Sequence, residues 1–174
     1  MYSVYTLKNI FEKRQTLCNN FIYKNFNSFM DLALCEAKKA FDSDEVPVGA
    51  IIVKDNKVIA STHNIMKGSK NQTNHAEKLA IDIACNVLNV GYLTECDIYV
   101  TLEPCAMCAA AISLARIRRL YIGVLDEKGG AIYHNSKLFY NCGLNHIPEH
   151  YWGFHERECQ ELMIDFFKRK RSGA

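Results

Sequence analysis

The stretch Tyr99-Val100-Thr101-Leu102-Glu103-Pro104-Cys105-Ala106-Met107-Cys108 changes character in its middle. With Asp97-Ile98 before it, the first part is rich in β-branched and aromatic residues, which predicts a strand over Asp97–Leu102. From Cys105 to Ala115 the side chains are mostly small and apolar, which predicts a helix. Pro104 falls at the junction, where a first helical turn loses nothing by lacking an N–H. Cys105 and Cys108, three residues apart in that turn, project to nearly the same face, so both sulfurs can reach one ion. The free N–H groups of a helix start favour thiolate over thiol. A strand that feeds a helix carrying two thiols is one unit of an α/β fold.

The flanking sequence supplies the other units. Ser28 can cap a helix whose apolar face is Phe29, Leu32, Ala33, Ala37, Ala40 and Phe41. Val48–Lys54 and Lys57–Thr62 are β-rich runs around Asp55-Asn56, two residue types that tolerate positive φ, so a hairpin is expected. A polar loop from Asn64 to Thr73 precedes a helix from Asn74 to Leu88. After the Cys105 helix come a strand over Arg119–Val124, a long loop region opening at Gly129-Gly130, and an amphipathic helix over Glu156–Lys170. The order α-β-β-α-β-α-β, closed by a final helix, describes one α/β domain with a mixed sheet over residues 28–174. Residues 1–27 differ, being rich in Asn, Tyr, Phe and Lys without a sustained period. They read as an atypical, disordered or dispensable tail, with translation starting in effect at Met30. The other reading is a weakly basic arm that contacts nucleic acid.

The chain has 174 residues, of which 49% are apolar, enough for a proper core. No run approaches the roughly 18 uninterrupted apolar residues of a membrane span, so a soluble globular protein is expected. Lys8, Glu12, Lys13 and Arg14 interrupt what would be the apolar stretch of a signal peptide. The 8 cysteines therefore read as reduced and intracellular, not as a disulfide framework. Net charge is +2, and residues 1–27 more than account for it. The remainder divides into an acidic half before Arg116 and a basic half after it. Arg116, Arg118, Arg119, Lys128 and Lys168-Arg169-Lys170-Arg171 form the basic set, which fits phosphate contacts and a salt-sensitive partner. A solvated C-terminal face explains any one of them equally well.

A second short segment, Asn74-His75-Ala76-Glu77, also lies where a loop enters a helix. His75 can supply a third ligand beside Cys105 and Cys108, and three ligands leave a tetrahedral zinc one open position, as in catalytic sites. Glu77, two residues on, is placed to take a proton from a water there and hand it to a substrate nitrogen. A structural zinc site needs a fourth ligand and has no use for this carboxylate. Cys-x-x-Cys alone is also a redox pair or half of a structural site, and His-Ala-Glu alone means little. Their combination favours catalytic zinc and matches the known His-x-Glu, Pro-Cys-x-x-Cys signature of zinc nucleobase deaminases. Cys18, Cys35, Cys85, Cys96, Cys142 and Cys159 show no second metal spacing and read as packing residues or free thiols. The remaining histidines read as surface or loop residues, with His146 a candidate for proximity to the site.

On these residues the chain resembles the cytidine/deoxycytidylate deaminase superfamily, and within it the bacterial tRNA-specific adenosine deaminases. Glu45-Val46-Pro47-Val48-Gly49-Ala50 looks like that family's first strand, Ala115-Arg116-Ile117 follows the metal segment as expected, and Asp165-Phe166-Phe167 resembles its last helix. The likeness spans residues 29–171. It implies a three-layer α/β/α fold around a five-stranded mixed sheet, a cytoplasmic homodimer with sites near the interface, and one zinc per subunit held by His75, Cys105 and Cys108. The implied reaction is hydrolytic conversion of adenosine to inosine at the wobble position of a tRNA anticodon, with zinc-activated water and Glu77 as proton shuttle. Asn64 falls where the family contacts the target nucleotide, and Asp126 in the loop that meets the anticodon. Asn74 and Leu125 depart from the family's common residues at those positions. The rival readings are a zinc deaminase of a free base or nucleoside, such as guanine or cytosine, and a non-catalytic zinc-fold RNA-binding subunit.

Overall fold

A computed structural model describes residues 28–141 and 143–173. The tail 1–27, with Cys18, and Cys142 lie outside the described residues. Helix α1 (Phe29–Asp42) starts where expected: the Ser28 hydroxyl accepts the N–H of Asp31 and the Asp31 carboxylate accepts the N–H of Ser28, a reciprocal capping box. Its buried face is Met30, Leu32, Ala33, Leu34, Glu36, Ala37 and Ala40, while Phe29 and Phe41 are only half-buried. Met30 is thus a core residue behind a cap that Ser28 provides, and a chain begun at Met30 would lack that cap.

Strands β1 (Gly49–Lys54) and β2 (Lys57–His63) form the expected hairpin, with Asp55 and Asn56 both at positive φ, 49° and 56°. Helix α2 runs over Ala76–Leu88, strand β3 over Asp97–Leu102, helix α3 over Ala106–Leu114 and strand β4 over Arg119–Val124. Two elements went unread within the region after Gly129: the short helix α4 (Leu138–Asn141) and strand β5 (Glu149–Trp152). β5 is a four-residue edge strand held by parallel pairing to β4, with no fully buried side chain to mark it. Helix α5 (Glu156–Arg171) closes the described chain. No helix among the described residues is long and apolar enough to cross a membrane.

The sheet order is β2-β1-β3-β4-β5, with β1 antiparallel to both neighbours and β3, β4 and β5 parallel. Alternation along the strands sorts the core into two faces. Ala50, Ile52, Ile98, Val100, Leu120 and Ile122 pack with Ala80, Ala84, Ala109 and Ile112 of α2 and α3. Ile51 and Val53, with Tyr99 and Tyr121 beside them, face Met30, Leu32 and Ala33 of α1, and Val124 meets Cys159 of α5. This is the expected three-layer α/β/α arrangement around five strands. The approach of α1 to β1 is so close that a Cβ on Gly49 would lie 2.0 Å from the Ala33 carbonyl oxygen. Ala33, Ala37 and Ala40, each fully buried, give the helix its flat contact side. Cys35, Cys85, Cys96 and Cys159 are free and at least half-buried, as packing residues should be.

Candidate active site

The amino-terminal ends of α2 and α3 meet beside the carboxyl end of β3. The helices start two residues and one residue later than their sequence suggests, at Ala76 and Ala106: His75 and Cys105 are the N-cap residues, so Pro104 sits outside the first turn. Extended backbone at each cap turns the side chain toward the facing helix end, and this brings the two segments together. The His75 Nδ1 lies 3.7 Å from the Cys105 sulfur and 3.6 Å from that of Cys108, and the three donor atoms all lie within 4.8 Å of one another. A tetrahedral zinc with bonds of about 2.3 Å to sulfur and 2.05 Å to nitrogen separates such donors by about 3.6 Å. The donor set therefore fits zinc in both chemistry and spacing. The histidine ring also bonds the Gln72 backbone, the kind of outer support that fixes a ligating imidazole.

The local charges agree. The hydrogen bond from Cys108 draws the Cys105 thiol down to about 4 against the cost of burial, with His75 adding to the effect. Cys108 moves up for the converse reason: it gives that bond, is buried, and faces the charge of Glu77. The same contact with Cys105 raises His75. Glu77 is 3% exposed, and burial, with the Cys105 charge beside it, pushes its carboxyl up to about 6. Its Oε2 is buried without a hydrogen-bond partner, although such atoms in folded proteins nearly always have one.

A cavity of about 220 Å³ opens onto this cluster, smaller than the roughly 300–1,000 Å³ of drug-sized ligands and of the order of one heterocyclic base. Asn64, His75, Glu77, Cys105 and Asp126 all line it, together with Val46, Val48, Met66, Leu102, Glu103 and Gly129. Cys108 lies fully buried behind the cavity wall. The Asn64 amide builds that wall: it accepts the N–H of Ala76 at 2.8 Å and donates to the Val46 carbonyl at 3.0 Å. Asp126 receives the N–H of Lys128 at 3.0 Å. The apolar lining residues carried no chemical signal in the sequence, because β-strand ends and cavity walls use the same side chains. Glu103, quoted only as part of the metal segment, had one: a carboxylate at the buried end of a strand.

A larger groove of about 930 Å³ shares Val46, Leu102, Asp126 and Gly129 with the cavity and runs from Lys128 in the loop after β4 to Lys170 and Arg171 of α5, where Lys170 is already paired with Asp44. The basic set therefore divides. Arg118 pairs with Asp97 through two bonds of 2.8 and 2.9 Å, and Arg119 with Glu149 at 2.8 Å. Strand register puts Asp97, Arg119 and Glu149 in one row at the starts of β3, β4 and β5, the end of the sheet away from the cavity. Arg116 lies over the Tyr92 ring, and Arg169 over Phe41 with a bond to its carbonyl. His146 also belongs elsewhere: its Nε2 donates to the Ile117 carbonyl, and its own carbonyl accepts the Ser113 hydroxyl at the far end of α3.

Residues 24–124 match the model of the cytidine and deoxycytidylate deaminase zinc-binding region. The chain is 48% identical over 143 residues to a tRNA-specific adenosine deaminase of Agrobacterium fabrum, spanning 82% of this chain and 94% of that protein. It is 44% identical over 145 residues to the tRNA-specific adenosine deaminase of Aquifex aeolicus, spanning 83% and 95%. A solved structure from work on A-to-I editing by tRNA:A34 deaminases at the wobble position of transfer RNA superposes with a TM-score of 0.76 at 48% identity, over 77% of this chain and 97% of that one.

Proposed function

The chain belongs to the cytidine and deoxycytidylate deaminase family, and from that premise we infer that it is a tRNA adenosine deaminase, converting adenosine to inosine at the wobble position of the anticodon. The observation that carries the reading is Glu77: a wholly buried carboxylate with one unpartnered oxygen, facing the cavity beside His75, Cys105 and Cys108. Those three side chains would hold one zinc ion per chain. When bound, zinc supplies a Lewis acid that lowers the pKa of a water at its open position toward about 7.

The chain's own residues do the rest. With a carboxyl near 6, Glu77 exchanges protons readily at neutral pH. It takes one proton from the attacking water and gives it to the ring nitrogen next to C6. It then passes the second to the departing amine, so that adenosine and water become inosine and ammonia. The unpartnered Oε2 is the atom that holds the proton in transit. Val46, Val48, Met66 and Leu102 give the cavity apolar walls that exclude bulk water. A base must be splayed from its strand to enter a space of this size, which costs little in a single-stranded anticodon loop. The Lys128 and Arg171 border of the groove suits the phosphates on either side of such a base.

Two copies joined as a homodimer fit the large apolar residues exposed around the end of α2 and the end of α3: Val87, Val90, Tyr92 and Leu114. Free thiols among the described residues suit a cytoplasmic setting. The deciding experiment incubates the protein with an adenosine-containing anticodon stem-loop and, in parallel, with free adenine, guanine, cytosine and their nucleosides. Inosine in the stem-loop alone is expected, and turnover confined to a free base would overturn the tRNA reading. In Glu77→Gln, zinc should remain bound while turnover falls by about 10²–10⁴-fold; retained turnover would remove Glu77 from the proton path.

A further inference from the structure

Glu103 follows the last residue of β3, directly before Pro104 and Cys105, and its side chain is wholly shielded from solvent. Its Oε1 accepts the backbone N–H groups of Ile132, Tyr133 and His134 at 3.0, 2.8 and 3.2 Å. Its Oε2 accepts the N–H of Asp126 at 3.0 Å and the Nδ1–H of His134 at 2.8 Å. All five donors belong to one loop, residues 125–137 between β4 and α4, which brings Asp126 and Gly129 to the cavity. The loop is shaped to the carboxylate: a Cβ on Gly130 would lie 2.3 Å from the Glu103 carboxyl carbon. The N–H of Ala131 also bonds the Pro104 carbonyl at 3.0 Å.

A strand end in a core needs no carboxylate, and burying one is unfavourable unless every lone pair is matched. Here the matching groups are backbone donors of the cavity's far wall, and the acceptor is two residues from a metal-binding cysteine. We propose that Glu103 is a positioning residue, which holds the loop bearing Asp126 in fixed register with the Cys105–Cys108 helix start. Asp126 and the zinc ligands come from different parts of the chain, and this carboxylate joins them through a single rigid step. The proposal rests on the deaminase reading for its kinetic consequence but not for its structural one.

Two variants test it from opposite sides. Glu103→Gln keeps the side chain's shape but sets an NH₂ against N–H donors on one side. Gly130→Ala pushes the loop away and leaves Glu103, Pro104 and Cys105 unaltered. Amide exchange, zinc content and kinetics on an adenosine-containing stem-loop are measured for each. Exchange over 125–137 should quicken in both while the α3 segment and zinc content are unchanged. KM for the stem-loop should rise about tenfold, as for loss of one charge-assisted bond, with kcat little changed. On an Asp126→Ala background neither variant should raise KM further. Unchanged exchange in the loop, faster exchange with an unchanged KM, loss of zinc, or a full additional rise in KM on the Asp126→Ala background would each overturn the proposal. If the unaltered protein makes no inosine, the deaminase reading fails by itself, and stem-loop affinity replaces KM in judging this one. Should either variant not fold, His134→Ala, which removes one donor from a partly exposed side chain, should show the same pattern at smaller size.

Discussion

Glu36 lies on the face of α1 that covers β2, with 9% of its side chain exposed. One oxygen accepts from Lys39 at 2.6 Å and from Ser61 at 2.8 Å, and the other meets His63 Nδ1 at 2.7 Å. Burial by itself would push this carboxyl up, but the bonds from His63, Lys39 and Ser61 outweigh it and draw it from 4.5 down to about 2. At about 1.36 kcal/mol per unit, the difference stabilises the fold by about 3 kcal/mol. Because the folded value lies below the unfolded one, the unfolded chain binds more protons in the interval between them. The contribution is therefore complete above about pH 4.5 and is lost as the pH falls through 2. Urea unfolding of the native chain and of Glu36→Gln, followed by circular dichroism, measures it. The native chain should be more stable by about 3 kcal/mol at neutral pH, and the gap should narrow steadily on acidification. A gap that stays constant with pH would refute the reasoning, since it would then come from shape or packing and not from the carboxylate's charge.

Replacing Gly49 by Ala forces a methyl group to within 2.0 Å of the Ala33 carbonyl oxygen, so unfolding free energy should fall by about 1–3 kcal/mol or more; an unchanged urea midpoint would show that α1 is free to retreat. Cys108→Ser should abolish stoichiometric zinc, read by elemental analysis, because a buried hydroxyl is a poor substitute for a thiolate. Lys128→Ala and Arg171→Ala should each flatten the salt dependence of stem-loop binding by about 0.7 in log–log slope. Arg118→Ala and Arg119→Ala, whose guanidinium groups pair with Asp97 and Glu149 at the other end of the sheet, should leave that slope unchanged.

Much of the fold was legible because it follows local periods. The β-rich runs Val48–Lys54 and Asp97–Leu102, the Asp55-Asn56 turn and the Ser28 cap all act over a few residues, and each appears nearly where expected. β5 was invisible for the opposite reason: it exists through backbone pairing with β4, and its exposed side chains record nothing of that. The metal donors could be read because His75 and Cys105–Cys108 sit at element starts, where the chain's local turn fixes their direction.

What only the tertiary structure decided is which groups share a space. Residue types and spacing along the chain were enough to nominate His75, Glu77, Cys105 and Cys108, since their chemistry is a property of each short segment. They could not separate Arg171 from Arg118 among the basic residues, nor reveal that Glu103 serves a loop that begins more than twenty positions later. Those outcomes depend on the β3-β4-β5 register and on how α5 lies against the sheet. Contacts between residues so far apart along the chain form only when the whole sheet closes, and no local preference encodes them.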